Sequence, residues 1–159
     1  MQRALVVHFS VAVPLTVLLM LLTPILKLMG QQPEIAVSAG AFGVWLLPSV
    51  WAWAGLWVLV PWLQAQGIVR PQMLVAAAIA AAHPFFLWTL VHALHGGMIG
   101  AAAANSLSLT ANVSLLATAV FTCRTCVRTV PLLRPTWSAC ARLLPFLRLG
   151  LAGVLMMGE

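Results

Sequence analysis

ALVVHFSVAVPLTVLLMLLTPILKLMGQQPEIA, residues 4–36, is the stretch that decides the fold. From Leu5 to Leu28 it is almost wholly apolar, and its one full charge, Lys27, falls at the end. About 20 such residues cross the hydrocarbon core of a bilayer as a helix. A helix is required because lipid offers the backbone no hydrogen-bond partners. Leu5–Leu28 is therefore predicted to be the first span. Pro14 and Pro24 lie inside it, and neighbouring helices can tolerate such interruptions. Gly30-Gln31-Gln32-Pro33-Glu34 is the first polar break, read as a helix stop and turn that Pro33 favours.

The pattern repeats along the chain. A second span is expected from Ala39 to Leu63, carrying Trp45, Trp51, Trp53, Trp57 and Trp62, with Pro48 and Pro61 as further breakers. Some of these indoles suit an interfacial belt, but several lie mid-span. Gln64-Ala65-Gln66-Gly67 and Arg70-Pro71-Gln72 make a short loop. A third span follows from Met73 to Leu94, opening on small residues between Ala76 and Ala82. Such residues let helices approach closely. His95-Gly96-Gly97 is a turn, and a fourth span runs from Ile99 to Thr122. Asn105, Ser106, Ser108, Thr110, Asn112 and Ser114 make it unusually polar. Side chains of this kind face other helices or an aqueous cavity.

Composition supports this reading. Of 159 residues 63% are apolar and 6% charged, and the mean hydropathy is +1.06. A soluble domain carries about 25% charged residues. The net charge of +6 would suggest nucleic acid in a soluble protein. Here no dense basic face exists, so nucleic acid is excluded as a partner and the bilayer takes its place. Arg3 and the following apolar run resemble a signal peptide, but the run is too long and no cleavage site follows. Cys123 and Cys126 form a CxxC without a second ligand pair, so neither a metal site nor a redox motif is supported. His92 and His95, spaced i, i+3, lack the nearby carboxylate or thiolate that a metal site needs.

Residues 123–148 read as a basic linker with a short amphipathic helix, and residues 149–159 as the severed start of a fifth span. The basic residues then sort by side. Arg3, Arg70, Arg124, Arg128, Arg134, Arg142 and Arg148 share one face of the membrane, and Lys27 stands alone on the other. By the positive-inside rule the N-terminus is cytosolic.

The loops carry a resemblance. Gln2-Arg3-Ala4, Thr23-Pro24-Ile25-Leu26 with Gly30-Gln31-Gln32-Pro33-Glu34-Ile35-Ala36, Trp45-Leu46-Leu47-Pro48 and Trp62-Leu63-Gln64-Ala65-Gln66 occur in order. His83-Pro84, Gly97 with Gly100, Ala101 and Asn105, and Phe146-Leu147-Arg148-Leu149 continue the series. Together they are similar to the plant branch of the multidrug and toxic compound extrusion (MATE) transporters, the detoxification proteins. The resemblance implies helices 3–6 and the start of helix 7 of a twelve-helix, two-lobed membrane fold. Residues 1–122 then form part of the N-terminal lobe. It implies a proton-coupled antiporter that exports organic cations or plant metabolites through a plasma, vacuolar or other endomembrane. No cofactor is implied beyond the proton gradient. This length alone is not expected to complete a transport cycle.

The resemblance also marks Glu159 as the proton-coupling candidate, although Met156-Met157-Gly158 depart from the family motif before it. Gly30, Gln31, Pro33, Glu34, Pro48, Gln64 and Gln66 are assigned structural roles. From polarity and position, His83, Trp88, Asn105, Ser108 and Asn112 are candidates to line a cavity. For His83, helix packing competes with a proton or substrate contact. Two other functions compete. One is a non-transporting membrane protein that associates with a missing transporter lobe or a full-length relative. The other is a membrane enzyme, which the lack of a carboxylate pair, a nucleophile with a base or a metal cluster in the spans disfavours.

Overall fold

A computed structural model of the chain describes residues 2–122, all in helices and short turns. Helix α1 runs Gln2–Met20, α2 Leu22–Leu28, α3 Pro33–Ala65 and α4 Arg70–Trp88. A π-helical turn, Thr89–Ala93, extends α4, and α5 runs Gly97–Thr122. Four of these stretches are long and apolar enough to cross a membrane. The linker expected at 123–148 and the segment 149–159, with Glu159, lie outside the described residues.

The first span is a bent helix rather than a single straight one. Pro24 has no N–H for the Met20 carbonyl, and its ring pushes that carbonyl aside. The α-helix accordingly breaks at Leu21, one turn before the proline. The Leu21 amide still donates to the Val17 carbonyl at 3.0 Å and Ile25 to Leu21 at 3.1 Å, so the chain bends without stopping.

The second span begins earlier than Ala39. Gly30, at φ +80°, ends α2, and the Gln31 amide donates back to the Leu26 carbonyl. Pro33 then opens α3 instead of merely closing the turn, because its fixed φ suits the first helical position. Glu34 sits in that first turn, where a carboxylate meets the positive end of the helix dipole. Pro48 and Pro61, expected as breakers, lie inside an unbroken α3. Ser106 of α5 donates its hydroxyl to the Trp45 carbonyl at 2.6 Å, three residues before Pro48. The carbonyl that Pro48 leaves without an N–H is that of Val44, so this bond ties α5 to α3 beside the proline rather than replacing the lost one. Likewise α4 starts at Arg70, with Pro71 in its first turn, and α5 at Gly97.

Helix α3 is the axis of the bundle. It packs on α1 and α2 along one side and on α5 along the other, while α4 packs on α5. Burial records this two-sided contact. Along α5, Ala102, Ala104, Ser106 and Ser108 are all buried. Residues two apart on a helix point in nearly opposite directions. Ala102 and Ser106 therefore face α3, and Ala104 and Ser108 face α4, as the partners of the two serines confirm. The seams are built from small residues, as expected where lipid gives helices no hydrophobic drive to associate. Gly40 lets α3 close on Thr23, and Gly43 lies against Leu22 and Leu19. A larger apolar core sits near one end, where Leu56 and Leu63 of α3 meet Leu116 and Val120 of α5.

Candidate functional site

At the junction of α3, α4 and α5 the helices diverge around a cavity of about 390 Å³. Its apolar walls are Leu56, Val60, Leu116 and the indoles of Trp53 and Trp57, which stack with centroids 5.9 Å apart and planes 25° from parallel. Its polar groups are three carboxamides, one per helix: Gln64, Gln72 and Asn112. Gln64 Nε2 donates to Gln72 Oε1 across a long 3.5 Å contact, linking α3 to α4 at the mouth. A pocket of this size, mostly apolar with a few convergent polar groups, matches small-molecule sites. Carboxamides offer donors and acceptors without charge, and indole faces attract cations.

The polar residues of α5 are divided between this cavity and the seams. Asn105, Ser108 and Asn112 follow i, i+3, i+7 spacing and so share a face. Asn112 reaches the cavity. Ser108 is buried against α4, where His83 Nδ1 lies 2.7 Å from its hydroxyl. The Ser108 hydroxyl in turn donates to the Ala104 carbonyl at 2.8 Å. Because that single proton is committed, His83 must donate from Nδ1. His83 is therefore a bridge between α4 and α5. Asn105 is half-buried one turn away. Trp88 does not join them: it is 60% exposed on the outer surface of α4.

Of the motif positions, Gln64 reaches the cavity mouth. Gln66 is the C-cap of α3. His95 adopts a left-handed conformation, φ +51°, beyond the π turn that holds His92, so the two do not share a regular helix face. Among the described residues no cluster of three metal-ligating side chains occurs. Sequence reasoning missed Gln72, placed in a loop, and the pairing of Trp53 with Trp57. The i, i+4 spacing of the two tryptophans in mid-span was the available signal.

A second cavity, about 440 Å³, lies between α1 and α3 on the other side of the same indole pair. Among the described residues, His8 is its one titratable lining residue.

Four helices long and apolar enough to cross a membrane, packed through small residues, define an integral, multi-pass helical membrane protein. The MatE family model matches residues 1–89, and the chain belongs to that family. It is 34% identical to protein DETOXIFICATION 32 of Arabidopsis thaliana over 68% of this chain and 21% of that protein. It is 32% identical to protein DETOXIFICATION 16 of the same plant over 99% of this chain and 32% of that protein. Among solved structures, the eukaryotic MATE transporter AtDTX14 superposes with a TM-score of 0.81 at 29% identity, covering 94% of this chain and 33% of that one. The chain thus spans about a fifth to a third of the length of the relatives it matches.

Proposed function

We propose that this chain is a segment of a secondary active transporter, supplying one wall of a path for organic cations or plant metabolites exchanged against protons. The observation that carries this reading is the cavity between α3, α4 and α5, whose lining combines stacked indoles with three uncharged carboxamides. The indoles suit a flat cationic body, and the carboxamides suit its polar substituents without trapping it through an ion pair. Family membership supports the transport class. The proton and the substrate are expectations from the resemblance. In this arrangement the other lobe of the full-length protein closes the path, and rocking of one lobe against the other gives alternating access. Arg3 and Arg70 support a cytosolic N-terminus.

The test places residues 2–122 in full-length AtDTX14 in exchange for the matching segment. Efflux of a fluorescent organic cation is then followed in vesicles under an imposed proton gradient. The chimera should export the dye, and Trp57→Ala and Asn112→Ala should each slow export several-fold at unchanged abundance. Export untouched by both substitutions, or no export from a correctly inserted chimera, counts against the reading.

A further inference from the structure

Helix α4 is apolar on all sides. Val75, Ile79 and Phe86 are half-buried, while Leu74, Phe85 and Trp88 are exposed. Its middle, Ala76 to Ala82, is alanine at every position except Ile79. Methyl groups make low ridges, and lipid gives one apolar face no advantage over another. Apolar packing therefore selects only weakly the face of α4 that meets α5. The hairpin joining the two helices does not select it either. The π turn Thr89–Ala93 stands between that hairpin and α4. Loss of the extra residue in such a turn rotates the helix before it by about 100°.

One polar contact does discriminate. His83 Nδ1 donates to the Ser108 hydroxyl at 2.7 Å, and among the described residues this is the one side-chain hydrogen bond between α4 and α5. Ser108 is 5% exposed, and its own proton is committed to the Ala104 carbonyl. Turning α4 by one residue, about 100°, carries the imidazole away from this acceptor. A single polar group between apolar helices is a well-attested way of fixing register. Gln72 lies eleven residues before His83, about three full turns, so the two share a face of α4. The rotation that pairs His83 with Ser108 is thus the one that brings Gln72 and Ala76 to the cavity between α3, α4 and α5. Ala77, one residue on, is exposed and does not line it.

We propose that His83 is a positioning residue: through Ser108 it pins the rotation of α4 and so decides which side chains of that helix line the cavity. The consequence for a substrate rests on the transport reading, whereas the pin itself does not.

The test uses the 159-residue chain in nanodiscs, with Cys123, Cys126 and Cys140 replaced by serine. Asn112→Cys is combined in turn with Ala76→Cys and with Ala77→Cys, and each pair is bridged with a short bis-methanethiosulfonate. The Ala76→Cys pair should bridge several-fold better, because Ala76 and Asn112 line one cavity. His83→Phe and, separately, Ser108→Ala should each lower that preference at least about threefold, the worth of an average interhelical hydrogen bond in a membrane. His83→Asn, whose amide donates from near the place of Nδ1, should restore it. Yields that fall together at an unchanged preference would show that the bond strengthens the seam without setting the rotation, and would overturn the proposal. Equal bridging of the two pairs with His83 in place would do the same, as would no recovery in the His83→Asn chain. Ser108→Ala removes a single oxygen atom, so it decides the matter even where His83→Phe disturbs folding. The readout is geometric, so a chimera that fails to export dye leaves it untouched, and the two readings fail separately.

Discussion

Gly100 lies against the Leu90 carbonyl where the π turn meets α5, and a Cβ at this position would meet that oxygen and its carbon inside van der Waals range. Backbone at the end of a packed hairpin cannot swing away as a flexible side chain can. Gly100→Ala should therefore cost about 1–3 kcal/mol in a reversible unfolding assay in lipid or mild detergent. At Gly55 the only obstacle among the described residues is Val113 Cγ2 at 3.0 Å, and Ala there should cost clearly less. Equal losses would mean that the Leu90 contact is looser than the structure shows. The His83–Ser108 bridge is open to a similar test. A double-mutant cycle with His83→Phe and Ser108→Ala should give a coupling of about 0.6 kcal/mol, the average for interhelical hydrogen bonds in membranes. Coupling near zero would free His83 for the proton or substrate contact that competed with packing in the sequence. His83 was legible as a polar group within a span. Its partner was not, because a residue 25 positions away is found only once the helices are placed.

At the scale of elements, the sequence revealed existence better than shape. Four apolar runs gave four spans, since a bilayer leaves the backbone few alternatives. The ends moved by several residues because Pro33 and Arg70 are compatible with a helix that outruns the hydrocarbon core. The 33 residues of α3 reach about 50 Å, well beyond a core about 30 Å thick. The π turn at Thr89–Ala93 was invisible because it changes hydrogen bonding but not hydropathy. Proline positions were legible and their effects were not. Pro24 bends its helix, whereas Pro48 lies in an unbroken one whose nearby carbonyl takes a bond from Ser106. Two substitutions separate these cases. Pro24→Ala should restore the bond to the Met20 carbonyl and straighten the first span. Spin labels at Phe9 and Lys27 should then move apart in pulsed dipolar measurements, and an unchanged distance would assign the bend to packing against α3. Ser106→Ala should leave that distance alone and weaken the α3–α5 seam by roughly 0.5–1 kcal/mol.

For the whole molecule, the outer helices and the inner ones differ in what they face. Val11, Val13, Val17 and Leu18 of α1 are each half exposed or more, and α4 has no buried residue, whereas α3 and α5 bury small residues on two sides. A surface so apolar requires lipid or further protein around it. Turns of four residues or fewer join the spans, which favours alternating directions. Arg3 and Arg70 then occupy one end, and Lys27 and Glu34 the other. Under the positive-inside rule the α2–α3 turn is expected outside the cytosol and the α3–α4 turn within it. With Cys123, Cys126 and Cys140 replaced by serine, single cysteines at Gln32 and Val69 report on the two turns. A membrane-impermeant maleimide applied to intact cells should modify the Gln32→Cys chain, and should reach Val69→Cys only after permeabilisation. The opposite pattern would reverse the orientation. Labelling of both turns from outside would show that the spans do not alternate, and would remove the shared face on which the charge argument depends.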